Sequence, residues 1–259
     1  MKLFANGCSF TFGGGLYSNF EETDHEQYIH IPGSTHPRNV EREELVWPGQ
    51  LGKLLNAPEV VNLSLGAASN ARITRTTLDY FYEKMHEGVD VSEYLAVIQW
   101  SDVSRREYYV HGNWWLLNNN GVANNTGYKS GKLPADELVR HQLKNAEYFF
   151  KNMHSEEQDV IDTITNITTL GGFFEKFKIP YVFWTMNGVY NDMIEGREYL
   201  KGIEKFNWLF HTADDSRFSC FASHDADCFV PNDGHPNRKG HAIVAERIHN
   251  QLKVLGLVK

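Results

Sequence analysis

Apolar positions gather in short runs, separated by longer stretches of mixed character. Residues 2–5, 60–65, 94–100 and 180–185 read as strands. The last three are apolar almost throughout, a pattern that suits strands covered on both faces and predicts the centre of a parallel sheet. Residues 218–222 form a fifth, weaker candidate. Between the strands the apolar period lengthens to that of a helix. Residues 47–55 place Leu51, Leu54 and Leu55 on one side, with Pro48 in the first turn where its missing N–H is harmless. Residues 70–85 repeat Ile73, Thr77, Tyr80, Phe81 and Lys84 at spacings of three and four, with Asn70 as the expected cap. Residues 137–177 predict a long helical region broken near His154 and Ser155. A last helix over 238–255 is expected to turn Ala242, Ala245, Ile248, Leu252 and Leu255 inward.

Alternating strands and helices predict an open α/β fold with helices on both faces of one sheet. Two stretches break the rhythm. Residues 13–46 and 111–135 are rich in Gly, Pro, Asn or His and read as long loops, and loops of that length commonly carry function. One domain over residues 1–259 is expected, with insertions at about 13–46 and 111–135.

Composition narrows the function classes. The chain has 259 residues, of which 41% are hydrophobic and 22% charged, enough for a sizeable core. A net charge of -8 argues against a nucleic-acid partner held by phosphate neutralisation. The sequence shows neither a run as long as a membrane span nor the apolar core of a signal peptide, so the expected compartment is the cytoplasm. Cys8, Cys220 and Cys228 have no framework spacing and are expected as free thiols. Aromatic content is 13%, and Trp114, Trp115, Trp184 and Trp208 fall outside the most helical stretches, where they suit either ligand surfaces or core packing.

Four segments carry candidate chemistry. The first is NGCSFTFGGG, residues 6–15, which places Ser9 in a small-residue turn after the first strand. Ligands of open α/β sheets bind outside the carboxyl ends of the strands, so a nucleophile belongs there; a plain turn or helix cap is the simpler alternative. The second is NDGHPNRKGH, residues 232–241, with Asp233 two before His235. A carboxylate can orient the imidazole and make it a better base, while Asn237 and Asp233 equally suit the start of a helix. The third is NLSLGAASN, residues 62–70, whose small residues expose backbone N–H groups at a helix start. The fourth is IQWSDVSRRE, residues 98–107, which brings Ser101 and Asp102 to the end of the third strand. His211, Cys220, His224, Asp225, Asp227, Cys228 and His235 raise a metal site as a further reading, but their spacing matches no zinc pattern. Cys8 beside Ser9 reads as a small core residue more than as a nucleophile.

Together these segments resemble the blocks of the SGNH hydrolase superfamily, the GDSL-like esterases and lipases. GCSF is similar to the first block, NLSLGAAS to the second, WSD to the third and DGHPN with a later Gly to the last, spanning residues 6–241. The wording is most similar to members carried by bacteriophages. The resemblance implies a flavodoxin-like three-layer α/β/α sandwich around a central parallel sheet. It also implies transfer of an acyl group from an ester to water, without metal or organic cofactor. Ser9 would be the nucleophile, His235 the base and Asp233 the orienting acid. The oxyanion hole would come from the N–H groups of Ser9 and of Gly66 or Ala67, with Ser101 or Asn70 as a side-chain donor. An acylated carbohydrate or small-molecule ester, acetyl foremost, would be the substrate.

Three positions depart from the family pattern. Asn232 stands where the family has its acid, three before the His, and Asp233 is one residue closer. Ser101 stands where the family has Asn. Counted from Asn62, the family glycine falls on Ala67 rather than Gly66. These departures keep a second class open, a catalytically degenerate fold that binds glycan or serves as a virion component.

Overall fold

The computed structural model describes residues 1–14, 16, 37–110, 113–118, 121–122, 144–145, 147–185, 198–209, 226–230 and 234–259. Its centre is a parallel sheet of β1 (Lys2–Asn6), β2 (Val60–Asn62), β3 (Tyr94–Trp100) and β7 (Tyr181–Thr185), in the order β2-β1-β3-β7. Register pairs Phe4 with Val61 and Ala96, and Ile98 with Phe183. Beyond β7, Trp208 adds a parallel bridge to Phe183. The chain starts in the middle, steps out to β2, then returns past β1 to build the other side. That is the flavodoxin-like winding, and it leaves a crevice where the direction reverses, between β1 and β3.

Period-two alternation splits the sheet's side chains between two cores. Phe4, Tyr94, Ala96, Ile98, Trp100, Tyr181 and Phe183 face one way, against α4 (Asn70–His86) and α5 (Glu156–Phe177). Leu3, Ala5, Leu95, Val97, Val182 and Trp184 face the other, against α3 (Trp47–Leu55) and α6 (Arg238–Val254). Helices on both faces make a three-layer α/β/α fold. Each fully buried aromatic or aliphatic side chain contributes roughly 1.5–3 kcal/mol.

Several expectations need correction. The run 60–65 is not central: β2 is three residues long, forms the sheet edge and leaves Val60 exposed. Its apolar remainder, Leu63 and Leu65, lies past the strand and packs on the α4 side. Asn70 does not cap α4; Ser69 does, its hydroxyl accepting from the Arg72 N–H at 3.1 Å. On α3, Leu51 is buried but Leu54 is exposed, and Trp47 and Pro48 are buried with Leu51. On α6, Leu255 is exposed and His241 and Val244 join Ala245, Ile248 and Leu252 inside. The break near His154 is present, with a helical stretch at 147–152 ending before Ser155 caps α5.

Both expected loops contain structure. Residues 13–46 include α2 (Pro37–Leu45), and residues 111–135 include most of a second sheet. That sheet is antiparallel, from β4 (Arg106–Val110), β5 (Asn113–Asn118) and β6 (Gly121–Val122). Trp184 and Trp208 are core residues, whereas Trp114 is exposed on β5, beside Tyr109 at 5.2 Å and under the Arg75 guanidinium at 3.8 Å. The candidate strand at 218–222 lies outside the described residues.

Candidate active site

The carboxyl ends of the central strands change character abruptly. Asn6 ends β1, Gln99 sits next to last in β3 and Thr185 ends β7, all buried polar residues where the strands are otherwise apolar. Asn6 turns its amide across to α4, donating to Ile73 O, Thr76 Oγ1 and Thr77 Oγ1 at 2.9–3.2 Å, and accepts the Gly7 N–H at 2.9 Å. Gln99 reaches the turn after β1. Its Oε1 accepts from the Thr11 hydroxyl at 2.6 Å and from the Cys8 N–H at 3.3 Å, and its Nε2 donates to Cys8 Sγ at 3.2 Å.

Between these anchors the chain reverses into α1 (Ser9–Phe12), a single helical turn opened by Ser9. Gly13 closes it in the left-handed region at φ 90°, and both Gly13 and Gly14 donate to the Ser9 carbonyl, at 2.9 and 2.8 Å. Gly7 has no room for a side chain: a Cβ there would lie 2.4 Å from Thr11 Oγ1 and 2.8 Å from Gln99 Oε1. Cys8 is buried against Gln99, as a small core residue.

The other half arrives from the far end of the chain. Residues 228–230 pair with residues 235–237. The Val230 N–H donates to the His235 carbonyl at 2.8 Å, and the Asn237 N–H to that of Cys228 at 2.9 Å. Asn237 then caps α6, accepting from the Gly240 N–H at 3.0 Å. This loop delivers His235 so that its Nε2 lies 2.8 Å from Ser9 Oγ, a contact across 226 residues. Phe10 lies against the imidazole, ring centroids 4.9 Å apart. Gly14 also lies close: a Cβ there would meet His235 Nε2 and Cδ2 at 3.0 Å and Ser9 Cβ at 3.1 Å. The serine hydroxyl can hand its proton to the imidazole and become a nucleophile. Asp233 and Asn232, the candidate acids of that loop, lie outside the described residues.

His241, one turn into α6, is the second histidine here. Its Nδ1 accepts the Trp47 N–H at 3.2 Å. Burial, and then the neighbouring His235, push its imidazole down to about 3, so it is uncharged at neutral pH and adds no positive charge beside the base.

The expected oxyanion donors divide. Gly66 and Ala67 form a turn closed by the Ala68 N–H on Leu65 O at 3.2 Å, and the Leu65 N–H ties it to Gly7 O at 3.2 Å. Ala67 adopts φ 60°, where a non-glycine residue stores strain. Among the described residues, no hydrogen bond engages the N–H of Ser9, Gly66 or Ala67. Ser101 and Asn70, by contrast, hold one another. The Ser101 N–H donates to Asn70 Oδ1 at 2.8 Å. Asn70 Nδ2 donates to Ser101 O at 3.3 Å and Thr163 Oγ1 at 3.2 Å. The Ser101 hydroxyl accepts from Arg105 Nη1 at 3.0 Å, and Asp102 accepts from Ser104 at 2.6 and 2.9 Å.

Sequence reasoning assigned no role to Gln99, Phe10 or Gly14. A lone amide in an apolar strand was the available signal for Gln99. Among the described residues, no cluster of three or more His, Cys, Asp or Glu could hold a metal. His211, Cys220, His224 and Asp225 lie outside those residues, and Asp227 is paired with Lys239. Among the described residues, no helix is long and apolar enough to cross a membrane.

Solved structures similar to the chain include lipolytic hydrolases. The psychrotrophic esterase EstA from Pseudoalteromonas sp. is 12% identical, with 99% of this chain and 98% of that one covered and a TM-score of 0.46. A protein described as lipolytic, of the G-D-S-L family, from Desulfitobacterium hafniense is 15% identical over 97% and 99%, with a TM-score of 0.43. Phospholipase A1 from Streptomyces albidoflavus is 10% identical over 96% and 98%, with a TM-score of 0.40. No curated protein matches the chain. A family model does match, over residues 33–259, and by that match the chain belongs to the family described as "Family of unknown function (DUF6071)".

Proposed function

We propose that the chain is a serine ester hydrolase that removes an O-acyl group, acetyl foremost, from a carbohydrate or small molecule. The observation that carries this reading is the 2.8 Å contact between His235 Nε2 and Ser9 Oγ. Ser9 Oγ attacks the acyl carbon while His235 takes its proton, and the tetrahedral oxyanion rests on the N–H groups of Ser9 and of Gly66 or Ala67. Collapse breaks the bond to the alcohol, which leaves with the proton from His235. Water then attacks the acyl-serine, giving its proton to His235, and Ser9 recovers a proton as the acid departs. Asp233 orients His235 and stabilises its charged form.

The test is hydrolysis of p-nitrophenyl acetate, butyrate and octanoate. Wild type should turn over at least one of them, and Ser9→Ala and His235→Ala should each lose about a thousandfold or more. A fluorophosphonate probe should label wild type and not Ser9→Ala. Inert wild type that also resists the probe would overturn the reading. A second reading, a degenerate fold that binds glycan or forms part of a virion, draws on one observation: Ser101 replaces the family's Asn, and the Asn70 amide is engaged with Ser101 and Thr163.

A further inference from the structure

Beside the Ser101–Asn70 pair lies a pocket of about 360 Å³, walled by α4, α5 and the start of β4. That volume falls in the range of small-molecule sites, about 300–1,000 Å³, near its lower end. Asn70, Arg105, Tyr108, Thr163, Thr165 and Asn166 line it, with Arg106, Glu107 and Asp162.

Its charges sort into two groups. Arg106 is held by Asp159 and Asp162, and Asp162 also accepts from Gln158 at 2.7 Å. Glu107 is gripped at both oxygens by Arg75, at 3.0 Å each. Arg105 stands apart. It is half-buried, and among the described residues its side chain meets no carboxylate, only the Ser101 hydroxyl through Nη1. A guanidinium carries five N–H donors in a rigid fork, so four remain for a ligand.

The α5 part of the lining offers acceptors. Asn166 uses its Nδ2 on Asp162 O at 2.7 Å and leaves its Oδ1 open. Thr165 donates its hydroxyl to Ile161 O at 2.8 Å, which leaves the oxygen's lone pairs for a donor. Tyr108 adds a partly exposed ring, packed on Phe149 at 5.8 Å. A ligand that satisfies this wall carries an oxyanion, several hydroxyl donors and an apolar ring face.

We propose that this pocket binds the alcohol part of the substrate as a sugar acid, with its carboxylate on Arg105 and its hydroxyls on Asn166 and Thr165. A single unpaired guanidinium matches one negative charge. A phosphate dianion would bring two, against a lining that already includes Asp162 and Glu107. Asn70 lines the pocket and holds Ser101, which follows β3, while Ser9 follows β1 on the adjacent strand about 4.8 Å away, so the pocket's Asn70 end lies at the same carboxyl ends of the strands as the proposed nucleophile. The place of the pocket in a reaction rests on the ester-hydrolase reading; its binding does not.

The experiment is calorimetric titration of the full chain with D-glucuronate, D-galacturonate, D-glucose and inorganic phosphate. Wild type and Ser9→Ala should bind one of the uronates equally well, at least about tenfold tighter than glucose or phosphate. Arg105→Gln, which keeps a donor for Ser101, should weaken the uronate about tenfold or more. Asn166→Asp, which adds a negative charge to the lining that holds the ligand's carboxylate, should weaken it too. If Arg105→Gln does not fold, Asn166→Asp decides. Glucose or phosphate binding as tightly as the uronates, unaltered affinity in the folded variants, or no uronate binding at all would each overturn the proposal. Uronate binding by a wild type inert to every ester would sink the hydrolase reading alone.

Discussion

The ends of β1 and β3 lie side by side, carry the same kinds of residue, and use them in opposite ways. After β1, the buried amides of Asn6 and Gln99 hold backbone and neighbours, so that the Ser9 hydroxyl is left to His235. After β3, the serine hydroxyl and an asparagine amide are engaged with Arg105 and with the Ser101 backbone. A serine at the end of a strand is therefore not a nucleophile by position. What separates the two is whether the surrounding polar groups fix the backbone and leave the side chain to a base, or fix the side chain itself.

The deepest cut into this contrast is the pair Ser9→Ala and Ser101→Ala. On the best p-nitrophenyl ester, the first should cost about a thousandfold or more in kcat and the second under about tenfold. Equal losses would erase the distinction. Next comes Gln99→Leu, which leaves the Thr11 hydroxyl and Cys8 N–H without their acceptor. Urea unfolding should show a loss of about 2–4 kcal/mol, and kcat should fall by about tenfold to a hundredfold because the Ser9 turn loosens. Full kcat in a destabilised Gln99→Leu would mean that α1 and its glycines suffice to aim the serine. Gly14→Ala is a smaller intrusion. The new Cβ forces His235 and Ser9 apart by a few tenths of an ångström, and kcat should drop about tenfold with KM little changed.

Legibility in the sequence followed physical locality. The runs at 94–100 and 181–185 announce buried parallel strands because both faces are covered, so every position but Gln99 and Thr185 is apolar. The run at 60–65 looks the same for another reason: only its first half is strand, and its leucines serve the helix layer. No local pattern separates those cases. The β4–β5 hairpin hid behind flanking Asn and Gly, although paired aromatics such as Tyr109 and Trp114 are a strand signal. At the site, Ser9 and His235 were legible as residues with fitting neighbours, and their meeting follows from the strand order. Asn70 was legible only as a helix cap or an oxyanion donor. Its partner was fixed by how α4 packs beside the end of β3, which depends on the whole layer.

Asn70→Ala is the finest test of the contrast, because a clamp on Ser101 and an oxyanion donor predict different readouts. Deleting the amide leaves the Ser101 N–H, buried at the end of β3, without an acceptor, and Thr163 without a donor. A buried orphan of this kind costs about 1–3 kcal/mol, so thermal or urea unfolding should shift clearly. If Asn70 only clamps Ser101, the folded variant should keep kcat within about threefold of wild type, a small change beside the loss of a true donor. If its amide instead swings to the oxyanion during turnover, kcat should fall by about a hundredfold or more while KM holds. Asn70→Asp sharpens the choice further. It keeps the acceptor for the Ser101 N–H and removes the donors, so a clamp should survive it in part and an oxyanion hole should not.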